Sequence, residues 1–164
     1  KAFATRFESE AAPRGLALVY LDLDGFKAVN DNYGHMAGDA LLQLVAERLR
    51  GLVRSTDIAA RIGGDEFVVL SEQTERVQLQ RFGERIVREI SEPYELDSGH
   101  QLSIGASVGI ALAPEHGRDM NSLMTAADAA LYQAKSRGKS LCVIAGQRSV
   151  LDARVSGGRS LRLQ

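Results

Sequence analysis

Asp57-Ile58-Ala59-Ala60-Arg61-Ile62-Gly63-Gly64-Asp65-Glu66-Phe67-Val68-Val69-Leu70 places two β-prone arms on either side of a glycine pair. Glycine adopts positive φ without steric cost, so this spacing predicts a tight hairpin with Asp65 and Glu66 at or just past its turn. Antiparallel pairing of neighbouring strands is therefore built into the chain, and a wholly parallel sheet is excluded.

Working outward, Leu16 to Leu21 form an unbroken apolar run between Gly15 and Asp22-Leu23-Asp24. Such a run reads as a central strand buried on both faces, with an acidic carboxyl-terminal end. A short helix is expected near Phe26 to Tyr33, and a longer amphipathic one from Asp39 onward, where Leu41, Val45, Leu49 and Leu52 recur at helical spacing. Past the hairpin, Leu79, Phe82, Ile86 and Ile90 define one side of another helix that Pro93 ends. Two or three strands are expected between Tyr94 and Ala113. A helix follows over Asn121 to Arg137, with Leu123, Ala127, Leu131 and Ala134 inward and Gly138 as its stop, and then a strand through Val143. Helices and strands interleave while several strands are hairpin-linked, which predicts an α+β fold (an α/β sandwich): a mixed, largely antiparallel central sheet of about five strands flanked by helices.

The 164 residues suit one domain, assigned to 1–146, with the polar, Arg-rich 147–164 as a linker or tail. Twenty Lys plus Arg against 21 Asp plus Glu leave no broad basic field, so neither a long nucleic acid nor direct membrane contact is expected. No apolar stretch approaches the roughly 20 residues of a membrane helix. The lone Cys142, inside Leu141-Cys142-Val143-Ile144, reads as a buried inert thiol and fits a reducing cytoplasm.

Alternation along a strand puts Asp22 and Asp24 on one side, where two negative charges crowd unless a cation is present. With Asp65 they form a hard oxygen set suited to Mg²⁺ or Mn²⁺, and no Cys/His cluster argues for zinc. Taken singly, these residues also admit plainer readings. Asp22 can be a strand-end cap, Asp65 a turn acid, Gly63-Gly64 an ordinary hairpin, Asp39 a helix N-cap and Arg54–Asp57 a surface ion pair.

The motifs recur in order. Arg61-Ile62-Gly63-Gly64-Asp65-Glu66-Phe67 follows Asp22-Leu23-Asp24-Gly25-Phe26-Lys27-Ala28-Val29-Asn30-Asp31, Gly34-His35 and Gly38-Asp39. It precedes Asp128, Ala130-Leu131-Tyr132, Ala134-Lys135 and Gly138-Lys139. From about Leu16 to Ile144 this series resembles the GGDEF domain, or diguanylate cyclase, family.

The resemblance implies a nucleotidyl-cyclase, ferredoxin-like fold and a diguanylate cyclase that condenses two GTP molecules into cyclic di-GMP and pyrophosphate. It implies that Asp22, Asp65 and the Leu23 carbonyl hold Mg²⁺ (or Mn²⁺), and that Asp65 or Glu66, with Asp65 favoured, is the general base. Lys27 would stabilise the transition state. Asn30 and Asp39 would read guanine, Gly63 and Gly64 would let the nucleotide approach, and Lys135 and Lys139, on one helical face if the helix persists that far, would contact the β- and γ-phosphates. Lys139 departs from the arginine more usual in the family, exchanging a bidentate fork for a point charge. Each domain resembles a half-site, so turnover would need a homodimer. Arg54 and Asp57 of an Arg-x-x-Asp tetrad, with Arg85, would bind the product and slow the enzyme.

The family's opening Asp-x-Leu-Thr turn is absent, and Lys1-Ala2-Phe3 is similar to the run just after it. Leu151-Asp152-Ala153-Arg154-Val155 resembles the linker to a phosphodiesterase domain of the EAL type. The resemblance thus implies a domain excised from a larger composite protein. It leaves open an idle GGDEF domain that binds GTP or cyclic di-GMP to regulate an attached enzyme, a purely structural dimerisation module, and a different nucleotidyl cyclase.

Overall fold

A computed structural model describes residues 15–146; the tail and the opening residues lie outside them. The chain runs β1 (Leu16–Asp24), α1 (Phe26–Tyr33), α2 (His35–Leu52), β2 (Ile58–Gly63), β3 (Glu66–Ser71), α3 (Arg76–Ile90), β4 (Tyr94–Glu95), β5 (Gln101–Leu102), β6 (Gly105–Ala113), α4 (Met120–Ser136) and β7 (Cys142–Ile144). The main sheet has five strands in the order β2-β3-β1-β6-β7, antiparallel except for β6 with β7, while β4 and β5 form a separate ribbon. The expected α+β class and mixed five-stranded sheet are what the chain adopts.

Strand β1 is buried from Leu16 through Leu23, because both of its faces are covered. Its odd-numbered residues, Ala17, Val19, Leu21 and Leu23, pack with α1, α2 and α3. The even-numbered Leu16, Leu18 and Tyr20 pack with α4 through Leu123, Ala127 and Leu131. The period-two rule then puts Asp22 and Asp24 on the α4 side.

That helix lies unusually close to the sheet. A Cβ added at Gly109 of β6 would come within 2.2 Å of the Ala127 carbonyl oxygen and 2.4 Å of the Leu131 backbone nitrogen. On the other side, Arg48 of α2 ties down the end of α3. Its guanidinium donates to the carbonyls of Glu89 (3.0 Å), Glu92 (2.7 Å) and Pro93 (3.1 Å) and sits 3.7 Å from the centroid of the Tyr94 ring.

Several expectations need correcting. Helix α2 begins at His35 rather than near Asp39, because Gly34, at φ 88°, breaks the chain after α1 and restarts it at once. Asp39 is therefore in the helix body, and the N-cap reading falls. The positive φ of the hairpin belongs to Gly64 (26°) alone; Gly63 remains in β2 beside a register shift, so the turn is Gly64-Asp65, one residue later than expected. Phe82 is only half-buried, and Gly83 takes the buried position beside it on α3.

Helix α4 stops at Ser136. Gly138, at φ 121°, lets the Lys139 N–H reach the Ala134 carbonyl (3.1 Å) and its own N–H reach that of Lys135 (3.3 Å), the paired bonds of a Schellman ending. Lys139 itself has φ 66°, so it does not share a helical face with Lys135.

Replacing Gly109 with Ala should destabilise the domain by about 1–3 kcal/mol, the usual cost of overpacking, because the new methyl meets backbone that cannot rotate away. Urea unfolding followed by circular dichroism would measure this.

His116 gives a pH-dependent contribution. Its Nδ1 accepts from the Leu112 N–H at 2.9 Å, and burial holds its pKa below the ordinary histidine value against the opposing pull of Glu115. A depressed folded pKa means that the stabilisation is complete above about pH 6.5 and is lost as pH falls through the folded value. Between pH 7.5 and 5.5 the urea midpoint should drop, and less so in His116→Asn, which keeps an acceptor but cannot take the proton.

Candidate active site

The carboxyl end of β1 and the β2–β3 turn meet on the α4 side of the sheet. Asp22 pairs across the ladder with Glu66 on one side and Ser107 on the other. The Leu23 N–H donates to the Asp65 carbonyl at 3.2 Å. A strand residue's N–H and C=O project the same way, so the Leu23 carbonyl also faces the turn that carries Asp65. Gly64 leaves open space above that turn, with no atom within 4 Å of a Cβ built there.

Two carboxylates converge here. The proton affinity of Asp65 is raised by burial first and by the neighbouring Asp22 second, with Lys135 pulling the other way. Lys135 reaches from the last turn of α4 to Asp22, its Nζ bonded to Oδ2. Asp24 is held apart, accepting from the Ser107 hydroxyl (2.7 Å) and the Ser140 N–H (3.2 Å). Glu66 lies beside Tyr20, whose phenol is pushed up to about 12 by burial and then by Glu66.

The donor set fits a hard dication. Asp22 and Asp65 supply neighbouring carboxylate oxygens, with the Leu23 backbone bonded to the same turn, and crowding of the two acids is what a cation between them would relieve. Among the described residues there is no group of three or more His, Cys, Asp or Glu side chains able to hold a metal by itself. Two carboxylates and a carbonyl suit an ion such as Mg²⁺, which retains waters and shares substrate phosphates.

The two guanine candidates lie near one another where α1 meets α2. A Cβ at Gly38 would fall 1.8 Å from the Asn30 Oδ1 and 3.2 Å from the Phe26 ring, so the Asn30 side chain lies directly over Gly38, next to Asp39. Asp39 is exposed on α2, and Lys27 is exposed on the first turn of α1. Lys139 reaches the neighbourhood by another route than a helical face, since the adjoining Ser140 N–H binds both Asp24 and the Ser107 hydroxyl (3.2 Å).

Away from this cleft, Arg54, Asp57 and Arg85 line one cavity of about 210 Å³ together with Arg81, Gln78 and Phe82. The turn that builds it is closed by the Arg54 N–H on the Asp57 Oδ2 (2.8 Å) and the Asp57 N–H on the Arg54 carbonyl (3.0 Å). The other Asp57 oxygen is buried with no hydrogen-bond partner. Cys142, expected to be buried, is half-buried, and desolvation pushes its thiol up to about 12.

Sequence reasoning missed Arg81, Ser107, Ser140 and Tyr20. Arg81 precedes Arg85 by one helical turn and Tyr20 precedes Asp22 by one strand period, so both had a signal in the spacing. Ser107 and Ser140 had none, since they meet Asp24 only through sheet pairing and the loop after α4.

A family model described as Diguanylate cyclase, GGDEF domain, matches residues 2–141. The chain belongs to the GGDEF family. MucR of Pseudomonas aeruginosa, named a bifunctional diguanylate cyclase/cyclic di-GMP phosphodiesterase, is 52% identical to this GGDEF domain over 126 residues, which are 77% of the chain and 18% of MucR. The chain thus spans less than a fifth of that relative's length.

The solved GGDEF domain of TpbB (YfiN), also from P. aeruginosa, superposes with a TM-score of 0.81 at 35% identity, covering 90% of this chain and 95% of that one. The GGDEF domain of DgcB from Caulobacter crescentus, solved in complex with c-di-GMP, gives a TM-score of 0.73 at 31% identity over 81% of this chain and 79% of that one. The fold is the nucleotidyl-cyclase fold of these GGDEF domains.

Proposed function

We propose that this domain is a diguanylate cyclase joining two GTP molecules into cyclic di-GMP. The observation that carries the reading is the convergence of Asp22 and Asp65, from separate strand ends, beside a carbonyl and opposite a lysine. Asp22, Asp65 and the Leu23 carbonyl would hold Mg²⁺ or Mn²⁺, which when bound offsets charge on the phosphates and lowers the pKa of the attacking hydroxyl.

The remaining work falls to the chain. Asp39 accepts from the ring N–H and amine of guanine while Asn30 serves its acceptor edge, a donor pair that adenine lacks. Lys135 and Lys139 bind the terminal phosphates, and Lys27 stabilises charge at the α-phosphate. The 3′-oxygen of one GTP forms a bond to the α-phosphorus of the other as the bond to pyrophosphate breaks, and Asp65 takes the hydroxyl proton. Asp65 is favoured over Glu66 for that role because it stands on the hairpin turn, whereas Glu66 is paired in β3 beside Tyr20.

Closing the ring requires two such transfers. Two copies facing each other across a two-fold axis supply the two nucleotides, so the working unit is a homodimer. Cyclic di-GMP then binds the second cavity, where Arg54 and Arg85 stack on or bond to guanine and phosphate and Asp57 lines the same wall.

One further reading has a specific observation behind it: NbdA of Pseudomonas aeruginosa, 42% identical over 126 residues and named a cyclic di-GMP phosphodiesterase alone, is compatible with a domain that binds GTP without turnover and regulates its neighbour. Incubation with GTP and Mg²⁺ separates the two. Product and pyrophosphate should appear at a rate that rises faster than linearly with protein concentration and stops on chelation. Asp65→Asn should lower that rate by at least about 10²-fold, the low end of a general base's contribution. GTP binding with no product at any concentration would favour the regulatory reading.

Titration calorimetry should find cyclic di-GMP bound about tenfold or more weakly by Arg54→Ala and by Arg85→Ala, the loss of a charge-assisted contact. Both variants should retain turnover while losing the slowing that accumulates with product.

A further inference from the structure

The acids at the end of β1 are not equally provided for. Asp24 has the Ser107 hydroxyl and the Ser140 N–H. Asp22 and Asp65 lie against one another, and among the described residues the ion pair made by this group is that of Asp22 with Lys135. One ammonium therefore stands where two carboxylates face the cleft, and it bonds to one of the residues assigned to metal.

A divalent ion placed between Asp22 and Asp65 would sit beside that ammonium and be repelled by it. Either the lysine leaves or the ion binds poorly. The lysine is the partner able to leave: its side chain is 35% exposed against 12% for Asp22, and it stands on the last turn of α4 at the end of a flexible four-carbon stem. Asp22 is fixed in a strand paired on both sides.

We propose that Lys135 is a displaceable counter-ion, holding Asp22 in the nucleotide-free domain, competing there with divalent metal, and passing to the triphosphate when nucleotide arrives. Metal and nucleotide then bind with positive coupling, because the anion that accompanies the metal also draws away the cation that opposes it. The idea rests on the reading that Asp22 and Asp65 are metal ligands, and it adds an order to loading: metal alone binds weakly, and nucleotide admits it.

The test is Mn²⁺ binding without nucleotide, read from the paramagnetic resonance signal of the free ion, in the wild-type domain, Lys135→Met, Lys135→Arg and Asp22→Asn. Lys135→Met should bind Mn²⁺ more tightly than wild type by on the order of tenfold, within the usual range for linked sites. Lys135→Arg, which keeps the charge, should stay near wild type, and Asp22→Asn should bind least.

Mn²⁺ should also raise the melting temperature of Lys135→Met more than that of wild type, and Lys135→Gln provides a second neutral variant if the methionine form does not fold. Equal Mn²⁺ affinity in wild type and both neutral variants, with Asp22→Asn still weakened, would overturn the counter-ion role and leave the metal reading standing. Unchanged Mn²⁺ affinity in Asp22→Asn would overturn both.

Discussion

The arrangement depends on charge balance at the end of a strand that cannot move. β1 is covered on both faces and paired on both edges, so Asp22 emerges from apolar surroundings at a fixed place, with the Asp65 turn on one side and α4 on the other. Burying a carboxylate is costly unless a cation or donors meet it. Lys135 meets Asp22, and hydroxyl and backbone donors meet Asp24. The close approach of α4 over Gly109 brings Lys135 within reach, so a packing detail in the middle of β6 sets the electrostatics at the end of β1.

The same hairpin serves two places at once. Asp57, just before β2, belongs to the arginine-lined cavity, and Asp65, just after it, belongs to the cleft. The six residues of β2 separate them as a short rigid spacer. On the other side, α2 carries Asp39 and α3 carries Arg81 and Arg85, and Arg48 joins these helices by binding three carbonyls at the end of α3. Binding surfaces and scaffold thus share elements.

Much of this was legible in residue order. The apolar run at Leu16, the glycine pair at Gly63 and the helical spacing of Leu123, Ala127 and Leu131 each report local periodicity, which a linear reading recovers. Asp22, Asp65, Asn30 and Asp39 could be singled out because each sits at a fixed offset in a series of motifs. Helix boundaries were less legible: Gly34 restarts a helix in a single residue, and Gly138 ends one before Lys139, events decided by backbone φ rather than by side-chain pattern.

The chain order by itself determined the α+β class, the hairpin and the buried acidic strand, because these follow from periodicity and spacing over short stretches, and its ordered motifs carried the resemblance to the family. Tertiary structure decided that Lys135 answers Asp22, that Ser107 and Ser140 hold Asp24, and that Arg81 joins Arg54, Asp57 and Arg85 around one cavity. Those pairings join residues as far apart as 24 and 140, and such distances close only when strand pairing, helix seating and loop geometry have all been set together.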